Sequence, residues 1–299
     1  SKLYLYDPDE RSFELLYEDD TYDVGGPTGG CRTAIGGASI DEKTNELIYV
    51  AYYGEKPVRI FFDDDVQATN DMLEGAFPDQ IVRPITWNKD RTKVVVSVSS
   101  SNNPGEYYYF DKENMILTFL WDRSPWIDRS KLSKMTSIKY TARDGLEVHG
   151  YLTTPINSDG KNLPMIVHPH GGPNVRDTYG YDPYVQFLAS RGYAVFQPNF
   201  RGSTGYGANH YISANKQFGK TMQDDITDGV YYLIEQGVAD KDRIAIFGAS
   251  YGGYATMAGL TFTPDLYAAG INYVGVVDLE LLQEDSNRNS SRFGAYYDE

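Results

Sequence analysis

The sequence predicts a two-part chain: the last blades of a β-propeller, followed by a doubly wound α/β domain with a mostly parallel sheet. Three observations carry this reading. Residues 1–130 repeat short aromatic strands that close on Asp in polar turns. From residue 131 to 299, apolar strands alternate with helical segments. Residues 243–260, RIAIFGASYGGYATMAGL, run from an apolar strand through a glycine-flanked turn at Ser250 into a stretch of small, helix-compatible residues.

In the first part, KLYLYDPDERSFELLY (2–17), VRIFFDDD (58–65) and EYYYFDKENMILTFL (106–120) share an aromatic strand ended by Asp7, Asp63 and Asp111. A polar turn followed by a strand recurs at residues 41–53 and 88–100. Short strands between polar turns, in units of about 50 residues, match four-stranded blades better than a sandwich meander. Tyr107, Tyr108 and Tyr109 are then blade core and rim. Two to three blades are visible, so further blades are expected ahead of Ser1, where the sequence opens strand-like with neither Met nor a leader segment.

In the second part, TSIKYTA (136–142) and EVHGYLTTP (147–155) flank the turn Arg143-Asp144-Gly145. PMIVHP (164–169), YAVFQPNF (193–200), RIAIFG (243–248) and AAGINYVGVV (268–277) read as strands. YVQFLASRG (184–192) reads as a helix ended by Gly192. MQDDITDGVYYLIEQG (222–237) is amphipathic, with Ile226, Val230, Leu233 and Ile234 on one face. Strand and helix in alternation over this length predict helices on both faces of a parallel sheet.

Three glycine-rich loops follow strands, at the ends where open α/β sheets bind ligands. The pattern Gly248-Ala249-Ser250-Tyr251-Gly252 is weak alone, because small residues are common in strand-to-helix turns. The strand before it, the helix after it and Gly253 supply the context of an α/β-hydrolase nucleophile elbow, with Ser250 as nucleophile. HPHGGPNV (168–175) follows a buried strand, where the backbone N–H of Gly172, or of Gly171, is expected to pair with that of Tyr251 as an oxyanion hole; the alternative is a glycine turn packed under Ser250. In PNFRGSTGYG (198–207), Arg201 orders the loop through buried hydrogen bonds or faces a substrate carboxylate. Asp224, Asp225 and Asp228 form a solvated or packing face rather than a metal site.

Bulk composition narrows the function. A net charge of -15 argues against a nucleic-acid partner. The one cysteine, Cys31, excludes a disulfide within the chain and a cysteine zinc site, and His149, His168, His170 and His210 lack zinc-peptidase spacing. No metal or other cofactor is expected. No apolar run reaches the about 18 residues that a membrane helix needs. Aromatics make up 14% of the chain, including 26 Tyr, which suits strands and broad semi-polar surfaces.

Taken together and in order, HPHGGP, PNFRGSTGYG, MQDDITDGV, GASYGGYA and FTPDLYAAGINYVGVVDL resemble the prolyl oligopeptidase family of serine peptidases. The likeness is to its acylaminoacyl- and dipeptidyl-peptidase-like branch and covers about residues 135 to 279. The first 130 residues share only the style of terminal propeller blades. The resemblance implies hydrolysis of short peptides through an acyl-enzyme on Ser250, with oxyanion donors at Tyr251 and Gly172 and a propeller that screens access. It also implies a triad ordered Ser, Asp, His, whose last two members fall beyond Glu299, so the chain is expected to be inactive alone and part of a longer polypeptide. The alternatives are a carboxylesterase-type acyl hydrolase, against which the propeller-like half speaks, and a non-catalytic scaffold, against which the intact elbow speaks. A bacterial periplasmic location is expected, with the cytoplasm as alternative, as is self-association through an uncovered sheet edge.

Overall fold

The computed structural model describes residues 1–25, 37–41 and 43–288. Cys31 lies outside the described residues. The chain divides into two compact units. Among the described residues, the first comprises 1–25, 37–41, 43–135 and 178–191, and the second comprises 136–177 and 192–288. No helix among the described residues is long and apolar enough to cross a membrane.

The first unit holds three antiparallel sheets. β1 (Lys2–Asp7) pairs with β2 (Ser12–Glu18), and β3 (Gly37–Ile40), β4 (Leu47–Tyr53) and β5 (Pro57–Phe61) form a three-stranded sheet. After helix α1 (Asp64–Ala76) come β6 (Ile81–Trp87), β7 (Lys93–Ser100), β8 (Asn103–Asp111) and β9 (Ile116–Asp122), a four-stranded meander in sequence order. Strict alternation along β7 buries Val94, Val96 and Val98 on one face, where they pack with Val82, Phe110 and Leu73 of α1.

The recurring Asp residues share one physical role. The Asp7 carboxylate accepts from the N–H groups of Asp9 and Glu10, and that of Asp111 from Asn114 N–H, so each closes a hairpin turn. Asp63 accepts from the N–H groups of Asp65 and Val66 and caps α1 instead. The repeat reading contained no helix here. Residues 64–76 become helical because the cap is followed by Val66, Thr69, Asn70 and Leu73 on one buried side.

The second unit is built on a six-stranded mixed sheet. Its strands are β10 (Met135–Thr141), β11 (Glu147–Thr153), β12 (Leu163–Val167), β13 (Ala194–Asn199), β14 (Ala239–Ala249) and β15 (Ala269–Tyr273). Their spatial order is β10-β11-β13-β12-β14-β15. β13, β12, β14 and β15 are mutually parallel, and β11 lies antiparallel to β13. β15 is an edge strand, exposed throughout, and the chain continues beyond it into a helix at Leu279–Arg288.

The helices connecting these strands are α2 (Pro183–Ala189), α3 (Ala208–Ile212), α4 (Thr221–Glu235) and α5 (Tyr251–Phe262), followed by α6 at Leu279–Arg288. The core joins Met165, Val167, Phe196, Ile244 and Ile246 of the sheet to Ile226, Val230 and Leu233 of α4 and Ala255 of α5. The 178–191 segment carrying α2 belongs to the first unit, where buried Gln186 accepts from Ser133 N–H and donates to the carbonyls of Ser101 and Ser133.

Helix α4 approaches the sheet through Gly229, where a Cβ would lie 2.5 Å from the Phe196 ring and 2.7 Å from that of Tyr140. Gly229→Ala therefore overpacks this contact despite the better helix propensity of Ala. We expect a loss of about 1–3 kcal/mol, read from the shift in urea midpoint.

Candidate active site

β14 delivers the chain to Ser250 at the start of α5. Ser250 has φ +57° and ψ −120°, a left-handed backbone that L residues rarely adopt. Four hydrogen bonds hold it there. Its N–H donates to the Tyr273 carbonyl at 3.2 Å, and its own carbonyl accepts from Gly253, Tyr254 and Val276.

Three neighbours are glycine for lack of room. A Cβ at Gly248 would fall 2.3 Å from the Gly252 carbonyl oxygen, one at Gly252 would fall 2.2 Å from that of Pro169, and one at Gly253 would fall 2.5 Å from Asn272 Oδ1. The turn can be this sharp only because those side chains are absent. Tyr251 turns its ring into the core, 5.3 Å from Phe200 and 4.8 Å from Phe218, with its hydroxyl donating to Met222 Sδ. Only its backbone is left for work at the turn.

The 168–173 loop lies against this turn. A Cβ built on Gly171 would stand 3.4 Å from Ser250 Cβ and 3.9 Å from its Oγ. Gly172 has φ +117°, and a Cβ there would strike Asn174 N at 2.7 Å; its bond to Pro173 is cis. Of the two glycines, Gly171 approaches the serine side chain and Gly172 makes the turn that follows.

All four histidines are occupied away from Ser250, whose hydroxyl has no hydrogen-bond partner among the described residues. His168 Nδ1 meets the Phe247 carbonyl at 2.7 Å. The His149 ring packs at a tilt against Tyr206, centroids 4.7 Å apart, and lies 3.2 Å from Glu147. His210, on α3, reaches the Phe200 carbonyl at 3.1 Å. His170 is buried, stacked on Phe200, with Nδ1 2.7 Å from the Gly171 carbonyl and Nε2 2.9 Å from Ser203 Oγ. Burial pushes both His170 and His210 down to about 4, helped by Arg176 near His170 and by Arg201 and Arg176 near His210.

Arg201 makes the buried hydrogen bonds expected of it. Its Nε and Nη2 donate to Asp225 at 2.8 and 2.6 Å, its backbone N–H donates to the same carboxylate, and Nη1 reaches Asp144 at 2.7 Å. Asp225 holds the guanidinium above its ordinary pKa, and the side chain is already paired with two carboxylates of this chain. The three Asp residues divide between the two readings: Asp225 is fully buried and packed, while Asp224 and Asp228 pair with Arg143 at 2.7 Å. No cluster of three or more metal-ligating side chains occurs among the described residues.

Sequence reasoning passed over Ser203, Asn174 and the pairing partner of Arg201. Asn174 donates to the Gly202 carbonyl at 3.0 Å, and Thr204 N–H donates to the Val175 carbonyl, so the 168–175 and 198–207 loops are stitched together. The glycines marked both loops in the sequence, but nothing in it showed that they touch.

The fold and the serine turn define the second unit as an α/β domain of the hydrolase type, with a mixed sheet. Residues 179–299 of the chain match the profile of the prolyl oligopeptidase family. A dipeptidyl aminopeptidase BIII from Pseudoxanthomonas mexicana is 35% identical over 288 residues, 94% of this chain and 40% of that protein. An acylamino-acid-releasing enzyme from Sus scrofa is 32% identical over 126 residues, 42% of this chain and 17% of that protein. Among solved structures, an acylaminoacyl peptidase from Pyrococcus horikoshii superposes with a TM-score of 0.68 over 99% of this chain and 43% of its own, at 23% identity. That likeness is one of fold. The chain spans less than half the length of the relatives it matches.

Two stability predictions follow from the charges. Arg201→Met strands the Asp225 carboxylate in the core and costs about 3–5 kcal/mol in urea denaturation, whereas adding Asp225→Leu recovers much of the loss. His170 and His210 bind protons more readily unfolded, near 6.5, than folded, near 4. Their contribution is therefore complete above pH 6.5 and is lost as pH falls towards 4. Thermal melting across that window should show a falling midpoint, with a shallower slope in His210→Gln.

Proposed function

We propose that the complete protein is a serine peptidase that cleaves short peptides, of the acylaminoacyl-, dipeptidyl- or oligopeptidase type. The observation that carries this reading is Ser250 itself: a non-glycine residue at φ +57° between a strand and a helix, with its hydroxyl facing Gly171 of the HGGP loop. Relatives named as peptidases support it.

In this reading Ser250 Oγ attacks the scissile carbonyl carbon and its proton passes to a general base. The N–H groups of Tyr251 and Gly172 donate to the oxyanion as the tetrahedral intermediate forms. The C–N bond then breaks, the proton moves to the departing amine, and water hydrolyses the resulting ester. The base and its carboxylate partner are proposed to come from residues outside 1–299, because each histidine here already serves another contact. No cofactor takes part.

The sheets of the first unit are read as propeller blades within residues 1–130, ahead of a catalytic domain at 131–299. The four-stranded meander β6–β9 supports the blade reading.

The test is covalent labelling of the full-length protein with a fluorophosphonate, mapped by mass spectrometry. Ser250 is expected to be the labelled residue, with peptidase activity reduced by at least about 10⁴-fold in Ser250→Ala. A phosphonate adduct at another serine, or activity that survives Ser250→Ala, would overturn the assignment.

A further inference from the structure

We propose that Asn272 is a positioning residue for Ser250, acting through the turn that follows β15; the inference rests on the reading of Ser250 as nucleophile given above. The turn touches both peptide groups of the serine. Ser250 N–H donates to the Tyr273 carbonyl at 3.2 Å, and the Ser250 carbonyl accepts from Val276 N–H at 3.3 Å. Residues 273 to 276 therefore hold the strained backbone of Ser250 from outside its own helix.

To make both bonds the chain has to reverse between Tyr273 and Val276, and it does so through Val274 at φ +45°. A β-branched L residue in the left-handed region is a genuine outlier, because its Cβ crowds the backbone. The Val274 residue is 72% exposed, so apolar burial does not offset that strain. What holds the turn is polar: Asn272 Oδ1 accepts from Gly275 N–H at 2.8 Å and closes a ring across Tyr273 and Val274. The backbone donor identifies the amide atom facing it as the oxygen.

The same oxygen is seated against the serine turn. A Cβ built on Gly253 would stand 2.5 Å from Asn272 Oδ1 and 2.5 Å from Gly275 Cα, and one on Gly275 would overlap Asn272 Oδ1. Gly253 N–H in turn donates to the Ser250 carbonyl at 3.0 Å. Asn272 thus stands between the two left-handed residues, Val274 and Ser250. Without its acceptor, Val274 relaxes towards negative φ, and the Tyr273 carbonyl and Val276 N–H move off Ser250. The serine hydroxyl then loses its fixed place beside Gly171.

The test is a double-mutant cycle in the full-length protein, read by steady-state kinetics on a short chromogenic peptide and by the rate of fluorophosphonate labelling at Ser250. Asn272→Ala should lower kcat and the labelling rate together by about tenfold with KM within about twofold, a part of the about 10²-fold that a misplacement of about 1 Å costs. Should Asn272→Ala fail to fold, Asn272→Gln, which keeps the amide but carries its oxygen one methylene further, takes its place in the cycle. Glycine adopts positive φ freely, so in a Val274→Gly background the loss of Asn272 should cost less than about threefold. A residue that merely stiffened the loop would cost as much or more in that more flexible background. An unchanged kcat, or an equal loss in both backgrounds, would overturn the role of Asn272 while Ser250 still labels. Failure of Ser250 to label in the parent would overturn the reading of the site, and this inference with it.

Discussion

The closeness of the backbone around Ser250 is the constraint on which the second unit depends. Three chain segments meet there: the end of β14, the start of α5 and the 169–171 loop. They approach to distances at which a single methyl group at Gly248, Gly252 or Gly253 would overlap a carbonyl or amide oxygen. That proximity fixes the left-handed backbone of Ser250 and sets the HGGP loop against its side chain. The hydrogen bonds from Ser250 to Tyr273 and Val276 also tie the turn to the segment beginning with β15.

The polar groups around the turn are mutually saturated, and this shapes the chemistry that remains. His168, His170 and His210 hold backbone carbonyls, Arg201 is spent on Asp225 and Asp144, and Tyr251 points into the core. The Ser250 hydroxyl is left without a partner among the described residues, facing a glycine surface. In the proposed reading, this site supplies the nucleophile and backbone donors, and proton transfer falls to residues elsewhere.

What could be read from the sequence was what residue identity alone encodes. Glycines at 171, 172, 248, 252 and 253 mark positions without room for a side chain, so the serine turn and its facing loop were legible. The alternation of strand and helix revealed the parallel core of the sheet for the same local reason. Features set by distant partners were not legible. Asp225 sits beside Asp224 and Asp228 on one helix, yet only Asp225 meets a buried guanidinium that the chain brings from residue 201. Ser203 meets a histidine on another loop, His170. In the first unit, the Asp63 turn resembled Asp7 and Asp111 in sequence, and only the buried side of residues 64–76 made it a helix cap.

The composition of α5 has a further consequence, for the order of folding. Of its twelve residues, Gly252, Gly253 and Gly259 each disfavour the helix by about 0.8–1.0 kcal/mol relative to Ala. A helix this short is marginal in isolation even when built from good formers. α5 therefore holds its shape only against β14 and β15, with Gly259 pressed towards Tyr267 and Thr256 donating back to the Gly252 carbonyl. The serine turn thus cannot assemble ahead of the sheet, and in a nascent chain the strained conformation of Ser250 forms only as the core closes.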